Sequence, residues 1–475
     1  MRYHFVGIGG SGLSAIARVL IERGHVVTGS DESDSPMLAS LSTLGARVAV
    51  GHRAEQVVGA EVVVISSAIH GDNPEVVAAL MAGLPVYKRS EFLGELTKGY
   101  KTIAVAGTHG KTTTAGLISY ILSEAGLAPS FVVGGLLPDL GGVNARAGQG
   151  EFFVIEADEY DHAFLGLAPW LEVITNIEHD HPDFFPSLAD VQAAFSAFLA
   201  RLAPMGWVVA CGDASGVLDL VRQVGARRVQ VYGVDTPDAD WAAAHWERSL
   251  EGGSEFVVLR RPARGAEARA FGRAVTRLSG LHNIRNALAA LCVADLCGVE
   301  FAVAAGALAK FSGAGRRFEL RGEARGVVFV DDYAHHPSEI RATLAAARDR
   351  FPGRTVWAVW QPHTFSRTRA LLSDFAVSFE DADHVLVLPV FRSREEDDPT
   401  FSAKTVVETM QHRDASYLDE GRAAVDDLMH RLGSHDVLIT LSAGDGNQIG
   451  ERVMQRLAED ARHGSAVVEP PGRHA

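Results

Sequence analysis

Along most of its length the chain alternates between two hydrophobic periods. Short apolar runs rich in valine and isoleucine are followed by a polar or glycine-rich break, and then by a stretch whose apolar residues recur at helical spacing. Residues 4–20 give the first unit: a short strand, a turn with Gly7, Gly9 and Gly12, and an amphipathic helix. Further strands are expected at 25–30 and 61–67, where Asn73-Pro74 marks the break before the next helix, and a short one at 85–87. A polar joint at 98–101 precedes a restart of the pattern, with a strand at 102–106, a loop, and a helix through 115–122. Strands at 152–156 and 171–176, a helix over 188–202, and strands at 207–210 and 228–232 continue it. Residues 235–272 are rich in Ala, Gly and Arg with short alternating stretches, so a β-rich excursion is expected there. A helix over 281–291 follows, and after a Gly-rich, doubly basic hinge at 311–318 the pattern restarts with strands at 327–332, 355–360, 384–388 and 436–441.

The expected fold class is therefore α/β in three domains: 1–98, 99–318 and 319–475, with the tail beyond about 462 lacking order. Composition adds limits to this picture. The 475 residues, 47% hydrophobic and 22% charged, are those of an ordinary globular chain too long for one core. A net charge of −15 argues against a nucleic-acid partner, because phosphate backbones are bound by basic faces, yet leaves room for small anionic ligands at local sites. Cys211, Cys292 and Cys297 have no metal-ligand or disulfide spacing and read as buried thiols of a reducing compartment. No charged leader and no run of about 18 apolar residues is visible, so a cytoplasmic location without membrane insertion is expected.

The breaks carry the candidate chemistry. Gly107-Thr108-His109-Gly110-Lys111-Thr112, between a strand and a helix, is phosphate-binding architecture: the glycines let successive N–H groups turn inward, and Lys111 and the Thr112 hydroxyl can serve phosphates and magnesium. The spacing is shorter than the usual P-loop, because Val105 stands where its first glycine would be. Gly7, Gly9 and Gly12, with Asp31 ending the second strand, fit a dinucleotide fingerprint, but any nucleotide diphosphate satisfies that geometry. Glu156, Asp158 and Glu159 end one strand, and Asn176, Asp180, His181 and Asp183 follow another; a carboxylate and an imidazole beside a P-loop suit magnesium. On a helix His282 and Asn286 share a face and could meet a planar base. Arg316 and Arg317 give the hinge a candidate anion contact.

Taken together, 107–114, 156–159, 175–183, 280–287, 331–337 and 361–368 resemble, in order, the motifs of the Mur ligase family. The resemblance implies a Rossmann-like UDP-binding domain, a central P-loop ATPase domain and a C-terminal Rossmann-like domain that takes an amino acid. It implies ATP and magnesium as cofactors, with UDP-N-acetylmuramate and, from the segment 361–368, L-alanine as the substrates joined in peptidoglycan precursor synthesis. Carried over by motif, the UDP-sugar falls to Gly7, Gly9, Gly10, Ser11, Gly12, Asp31, Ser67 and His70. ATP falls to Gly107, Thr108, His109, Gly110, Lys111, Thr112 and Thr113, with His282 and Asn286 facing adenine. Thr112, Glu156 and His181 would hold metal; Lys111, Glu156 and His181 are the expected catalytic set; Tyr333, His335 and Arg367 would approach the alanine. The alternatives are a recycling ligase that attaches a tripeptide to the same UDP-sugar, and a nucleotide-binding sensor or scaffold without turnover. A monomer and a homodimer are both compatible with the sequence.

Overall fold

The computed structural model describes residues 1–249, 252–263, 265–419 and 421–465, grouped into two compact units. The first holds Met1–His179, Phe184–Leu278 and His282–Ala314; the second holds Asp180–Asp183, Ser279–Leu281 and the chain from Gly315 onward.

Among the described residues, strands of the first unit form two sheets. One is parallel throughout, in the order Arg47–Val50, Val26–Asp31, Arg2–Val6, Val62–Ile65, Val86–Lys88. Strand order reverses beside Arg2–Val6, and the glycine turn leaves the carboxyl end of that strand into the helix Ser11–Glu22, which is where open α/β sheets collect ligands. The other sheet runs Arg269–Thr276, Ser254–Arg260, Trp241–Arg248, Val229–Gly233, Trp207–Cys211, Leu171–Ile174, Lys101–Ala106, Phe152–Glu156, Ser130–Leu137, Val143–Arg146. Its middle is parallel, and the expected β-rich excursion at 235–272 is the antiparallel meander of the first three strands named, extended to Thr276. The hairpin at the opposite edge carries no period-2 signal strong enough to have been expected, since glycines and a bulge interrupt Ser130–Leu137.

The polar joint at 98–101 does not separate two cores. Phe5, Ile16, Phe92 and Leu96 belong to the same buried cluster as Ala104, Phe153, Phe164 and Phe198. Tyr100 packs edge-on to Phe153 at 5.6 Å, under the Arg23 guanidinium. Glycines set the closest approach: a Cβ on Gly166 would stand 1.7 Å from the Ser90 carbonyl oxygen, and one on Gly94 2.7 Å from that of Gly166. The helix Arg89–Thr97 is thus pressed backbone to backbone onto the 3-10 turn Tyr160–Gly166.

In the second unit the order is Glu319–Ala324, Val327–Asp332, Asp436–Ser442, Thr355–Gln361, His384–Val387, Ala415–Tyr417, parallel except for the first pair. Alternate residues of Val327–Asp332 feed opposite faces: Val328 and Val330 join Ile340, Leu344 and Trp360, whereas Phe329 joins Trp357, Leu438 and Val453. The main stretch of the unit begins at Gly315, four residues before the expected boundary. The last helix, Asn447–Ser465, runs into the segment expected to lack order; 466–475 lie outside the described residues. Cys211 and Cys292 are buried; among the described residues no disulfide forms and no helix is long and apolar enough to cross a membrane.

Candidate active site

The P-loop lies at the middle of the larger sheet. Lys101–Ala106 is paired on both sides, by Leu171–Ile174 and by Phe152–Glu156, so the polar ends of three parallel strands meet at one place. Gly107 has φ 140 and Gly110 φ 79, conformations that disfavour a side chain, and a Cβ on Gly107 would lie 1.9 Å from Thr175 Oγ1. The strand 171–174 delivers the groups that hold the loop. Asn176 Oδ1 accepts from His109 N (2.8 Å), Asn176 Nδ2 and Thr175 Oγ1 donate to the His109 carbonyl (3.1 and 2.6 Å), and Thr108 Oγ1 accepts from Glu178 N at 2.8 Å. A loop pinned by the residues that follow this one strand has little freedom left to lose, which removes an ordering cost from phosphate binding.

Lys111 opens the helix Lys111–Glu124 and folds back over the loop, donating to the Gly107 and Thr108 carbonyls (2.6 and 3.1 Å) and to Glu159 (2.9 Å). Burial by itself would lower the Lys111 pKa; Glu159, with Asp158 and Glu156 behind it, raises it above its ordinary value, so the group is a fixed cation. Thr112 Oγ1 donates to Glu156 Oε2 at 2.9 Å, and that oxygen also takes the Gly134 amide at 2.6 Å. A hydroxyl and a carboxylate in contact beside a P-loop are the hard oxygen donors that magnesium prefers, so the residues fit the ion.

Asn286 is placed behind the loop and not toward an open face. It is buried, accepts from Thr114 (3.1 Å), donates to Asn283 (3.1 Å), and its oxygen stands 2.9 Å from where a Cβ on Gly110 would be. Its place explains why Gly110 carries no side chain. His282, half-buried on the preceding turn, has Nε2 3.1 Å from Asn283 Nδ2. Thr113 is buried in the helix.

In the first sheet, Gly7 takes φ 84 and Gly10 precedes the helix Ser11–Glu22 with no side-chain cap, leaving Gly10 and Ser11 exposed. Asp31, expected at a ribose, has one oxygen turned inward to the Gly9 amide at 2.8 Å, where it fixes the turn. Ser67 and His70 are exposed after Val62–Ile65. Arg89 escaped sequence reasoning: its guanidinium lies 2.5 Å from where a Cβ on Gly12 would be, and its Nη2 donates to Asp158 at 3.3 Å. Nothing in its local sequence marks it, since only the packing of its helix brings it to the turn.

The second unit collects a buried charge cluster. Arg367 is 2% exposed; its Nε donates to Asp180 Oδ1 at 2.6 Å, its Nη1 meets His363 Nδ1 at 3.0 Å and its Nη2 meets His181 Nδ1 at 3.4 Å. The guanidinium expected to meet a substrate carboxylate is thus already paired with one from the chain. Burial would raise the Asp180 carboxyl, but Arg367, helped by His181, His336 and His335, holds it well below the usual range. Burial first, and the nearby Arg367, lower His335 to about 4; burial, His335 and Arg367 lower His363 to about 2. Both imidazoles are neutral at pH 7, so neither adds positive charge to the Arg367–Asp180 pair. His181 and Thr364 hold positive φ (54 and 67), strain that the surrounding bonds maintain. Glu395 caps the helix Phe365–Ala370 through the Phe365 amide and the Ser366 hydroxyl.

Tyr333 packs edge-on to His335 at 5.4 Å and lies under the Arg316 and Arg317 guanidinia. Arg316, an expected anion contact, is instead spent on the fold: it donates to Asp331 (3.2 Å) and to the Ser442 carbonyl (2.6 Å). Arg317 approaches Glu339 at 3.9 Å. Burial lifts Asp332, which accepts from the Phe318 and Ala334 amides, to about 6.

A pinned P-loop with its lysine held cationic, a hydroxyl–carboxylate pair beside it and a glycine turn on a second parallel sheet define a nucleotide-using α/β protein. Comparison with known proteins narrows the class. Residues 2–101 match the model of the Mur ligase family catalytic domain, 105–294 that of the Mur ligase middle domain, and 316–444 that of the Mur ligase glutamate ligase domain. The chain belongs to the Mur ligase family. It is 40% identical over 473 residues to the UDP-N-acetylmuramate–L-alanine ligase of Roseiflexus castenholzii, covering 97% of this chain and 98% of the relative. It is 41% identical over 460 residues to the enzyme of that name from a Geobacter species, covering 96% and 97%. Its fold is similar to a crystal structure of UDP-N-acetylmuramate-alanine ligase from Thermotoga maritima, with TM-score 0.78 and 27% identity over 97% of this chain and 100% of that one. A murein peptide ligase from Psychrobacter arcticus is also similar, at TM-score 0.71 and 26% identity over 96% and 99%.

Proposed function

We propose that this chain is an ATP-dependent ligase that joins UDP-N-acetylmuramate to L-alanine in peptidoglycan precursor synthesis. The observation that carries the reading is the match over 96–97% of the chain to relatives named for that reaction, supported by Lys111 paired with Glu159 and Thr112 with Glu156 beside the P-loop. A carboxylate is a poor electrophile. Its oxygen attacks the γ-phosphorus of ATP, ADP leaves, and the acyl phosphate so formed is attacked at carbon by the alanine amine, releasing phosphate and a proton with the amide.

The first step brings two anions together, and the chain answers with fixed cationic charge. Lys111, kept protonated by Glu159, is set to stabilise charge that develops on the transferred phosphoryl group. Thr112 and Glu156 would hold magnesium, with His181 as the further ligand carried over from the family resemblance; the ion supplies neutralisation of phosphate charge when bound. The loop amides fixed by Thr175 and Asn176 orient the triphosphate. Gly7, Gly9, Gly10, Ser11 and Gly12 would take the UDP diphosphate at the helix N-terminus, with Ser67 and His70 at the rim. Tyr333, His335 and Arg367 would form the alanine group by resemblance, with Asp180 holding the Arg367 guanidinium in place.

The tripeptide ligase reading has its own support in the likeness to the murein peptide ligase. The assay that separates the two is ADP release with UDP-N-acetylmuramate and, in turn, L-alanine, glycine, L-serine and the tripeptide. L-Alanine should give the highest kcat/KM. Preference for the tripeptide would replace the alanine reading, and no ADP with any acceptor would favour a sensor or scaffold.

A further inference from the structure

The motif Glu156-Ala157-Asp158-Glu159 distributes its three carboxylates to three different partners. Glu156 meets Thr112, Glu159 meets Lys111, and Asp158 meets Arg89. The first two partners belong to the P-loop helix. The third belongs to the helix Arg89–Thr97, which leaves the smaller sheet, and its guanidinium lies 2.5 Å from where a Cβ on Gly12 would be. Two observations keep this link short and stiff. Gly94 and Gly166 let the Arg89 helix touch the turn that follows Asp158 backbone to backbone. Asp158 is itself fixed by accepting the Tyr160 amide at 3.2 Å. On the other side, the helix Ser11–Glu22 begins with no acidic residue in its first turn and no side chain capping it. A diphosphate entering there would meet Arg89 directly.

We infer that Arg89 is a positioning residue shared between the sugar-nucleotide diphosphate and Asp158, so that filling the glycine turn is felt at the carboxylates beside the P-loop. The inference rests on the reading of that turn as the UDP-sugar site. A diphosphate is the stronger partner for a guanidinium, because it offers more charge and a bidentate edge. On binding, Arg89 turns toward it, and Asp158 loses a counter-charge one residue from Glu159, the partner of Lys111. Asp158 and the diphosphate therefore compete for one cation.

Competition has a signature that a simple structural clamp lacks. UDP-N-acetylmuramate binding is measured by calorimetry on the full chain, without ATP, for wild type, R89A, R89K, D158N and R89A/D158N, with thermal unfolding of each as the check on folding. R89A should weaken binding about tenfold, the scale of one charge-assisted contact, and R89K should recover part of it. D158N should tighten binding about twofold or more in the wild-type background, and lose most of that gain when Arg89 is absent. Weaker binding in both single variants, or additive effects in the double variant, would overturn the competition and leave Arg89 a structural clamp. Tight binding by wild type with R89A unchanged would overturn the inference alone. Failure of wild type to bind the UDP-sugar would overturn the reading of the turn and the inference with it.

Discussion

Lys111 and Glu159 illustrate how one residue serves stability and chemistry at once. Their ion pair is almost closed to solvent, with Glu159 1% exposed. Removing only the lysine leaves a buried carboxylate without its counter-charge, a loss of about 3 kcal/mol or more. Lys111→Ala should therefore abolish ADP release and also lower the denaturation midpoint, whereas Lys111→Met with Glu159→Gln should regain stability and stay inactive; UDP-sugar binding should survive in both. Recovery of activity in the double variant would contradict the role of Lys111. Glu172 is the opposite case. It is fully buried in the strand Leu171–Ile174, both its oxygens lack a partner among the described residues, and burial raises its pKa well above the ordinary value. A carboxyl held neutral in the fold binds a proton that the unfolded chain releases above pH ~4.3, so its contribution to stability falls as pH rises from there. Glu172→Leu should raise stability at pH 7 by roughly 1–3 kcal/mol and remove that slope, as read by urea unfolding at pH 5 and pH 7. The sequence made Lys111 legible, because a lysine between a glycine and threonines after a strand has few other uses. It left Glu172 unread, since an alternating strand with one acidic residue looks like a strand with one face in water.

At the scale of elements, the P-loop's function depends on a neighbour strand. Thr175 and Asn176 end Leu171–Ile174 and carry the hydrogen bonds that shape residues 107–110. Gly107→Ala must place a methyl group on Thr175 at a φ that L residues rarely adopt. It should weaken ATP binding more than tenfold, while Gly24→Ala, in a turn with open space around it, should change ATP binding little; nucleotide titration by calorimetry reads both. Equal effects would mean that the loop tolerates rearrangement. The order of strands, helices and turns was largely readable from period and punctuation. The partners were not: Asp31, Asn286 and Arg316 each had the chemistry of a ligand contact, and folding turned them to Gly9, to Thr114 and Asn283, and to Asp331. A polar side chain near a site can satisfy a backbone group as readily as a ligand, and sequence spacing does not distinguish the two.

At the scale of the whole molecule, buried groups push the response to acid in both directions. In the second unit, His335 and His363 are kept neutral in the fold, at about 4 and about 2, so the unfolded chain binds protons first as pH falls below ~6.5. Each then removes about 1.4 kcal/mol of stability per pH unit. Asp332, lifted to about 6 by burial, works the other way below that pH and offsets one of the two. In the first unit the raised Glu172 carboxyl gains as pH falls toward its ordinary value, while His25, lowered by burial, works against it. Between pH 7 and pH 5 the segments that carry His335 and His363 should lose protection from hydrogen exchange relative to the strand Leu171–Ile174, after correction for intrinsic rates. His363→Gln should reduce the difference; uniform change across these segments would contradict it. The sequence by itself determined the α/β class, the succession of three sheets, the P-loop and the family, because these rest on local periodicity and contiguous motifs. Only the tertiary structure decided that the first two sheets share one core, that Asp180 joins Arg367 across 187 positions of chain, and that Arg89 stands between Gly12 and Asp158. Those depend on which distant surfaces pack together, and packing is set by the shape and volume of whole elements, which no local pattern encodes.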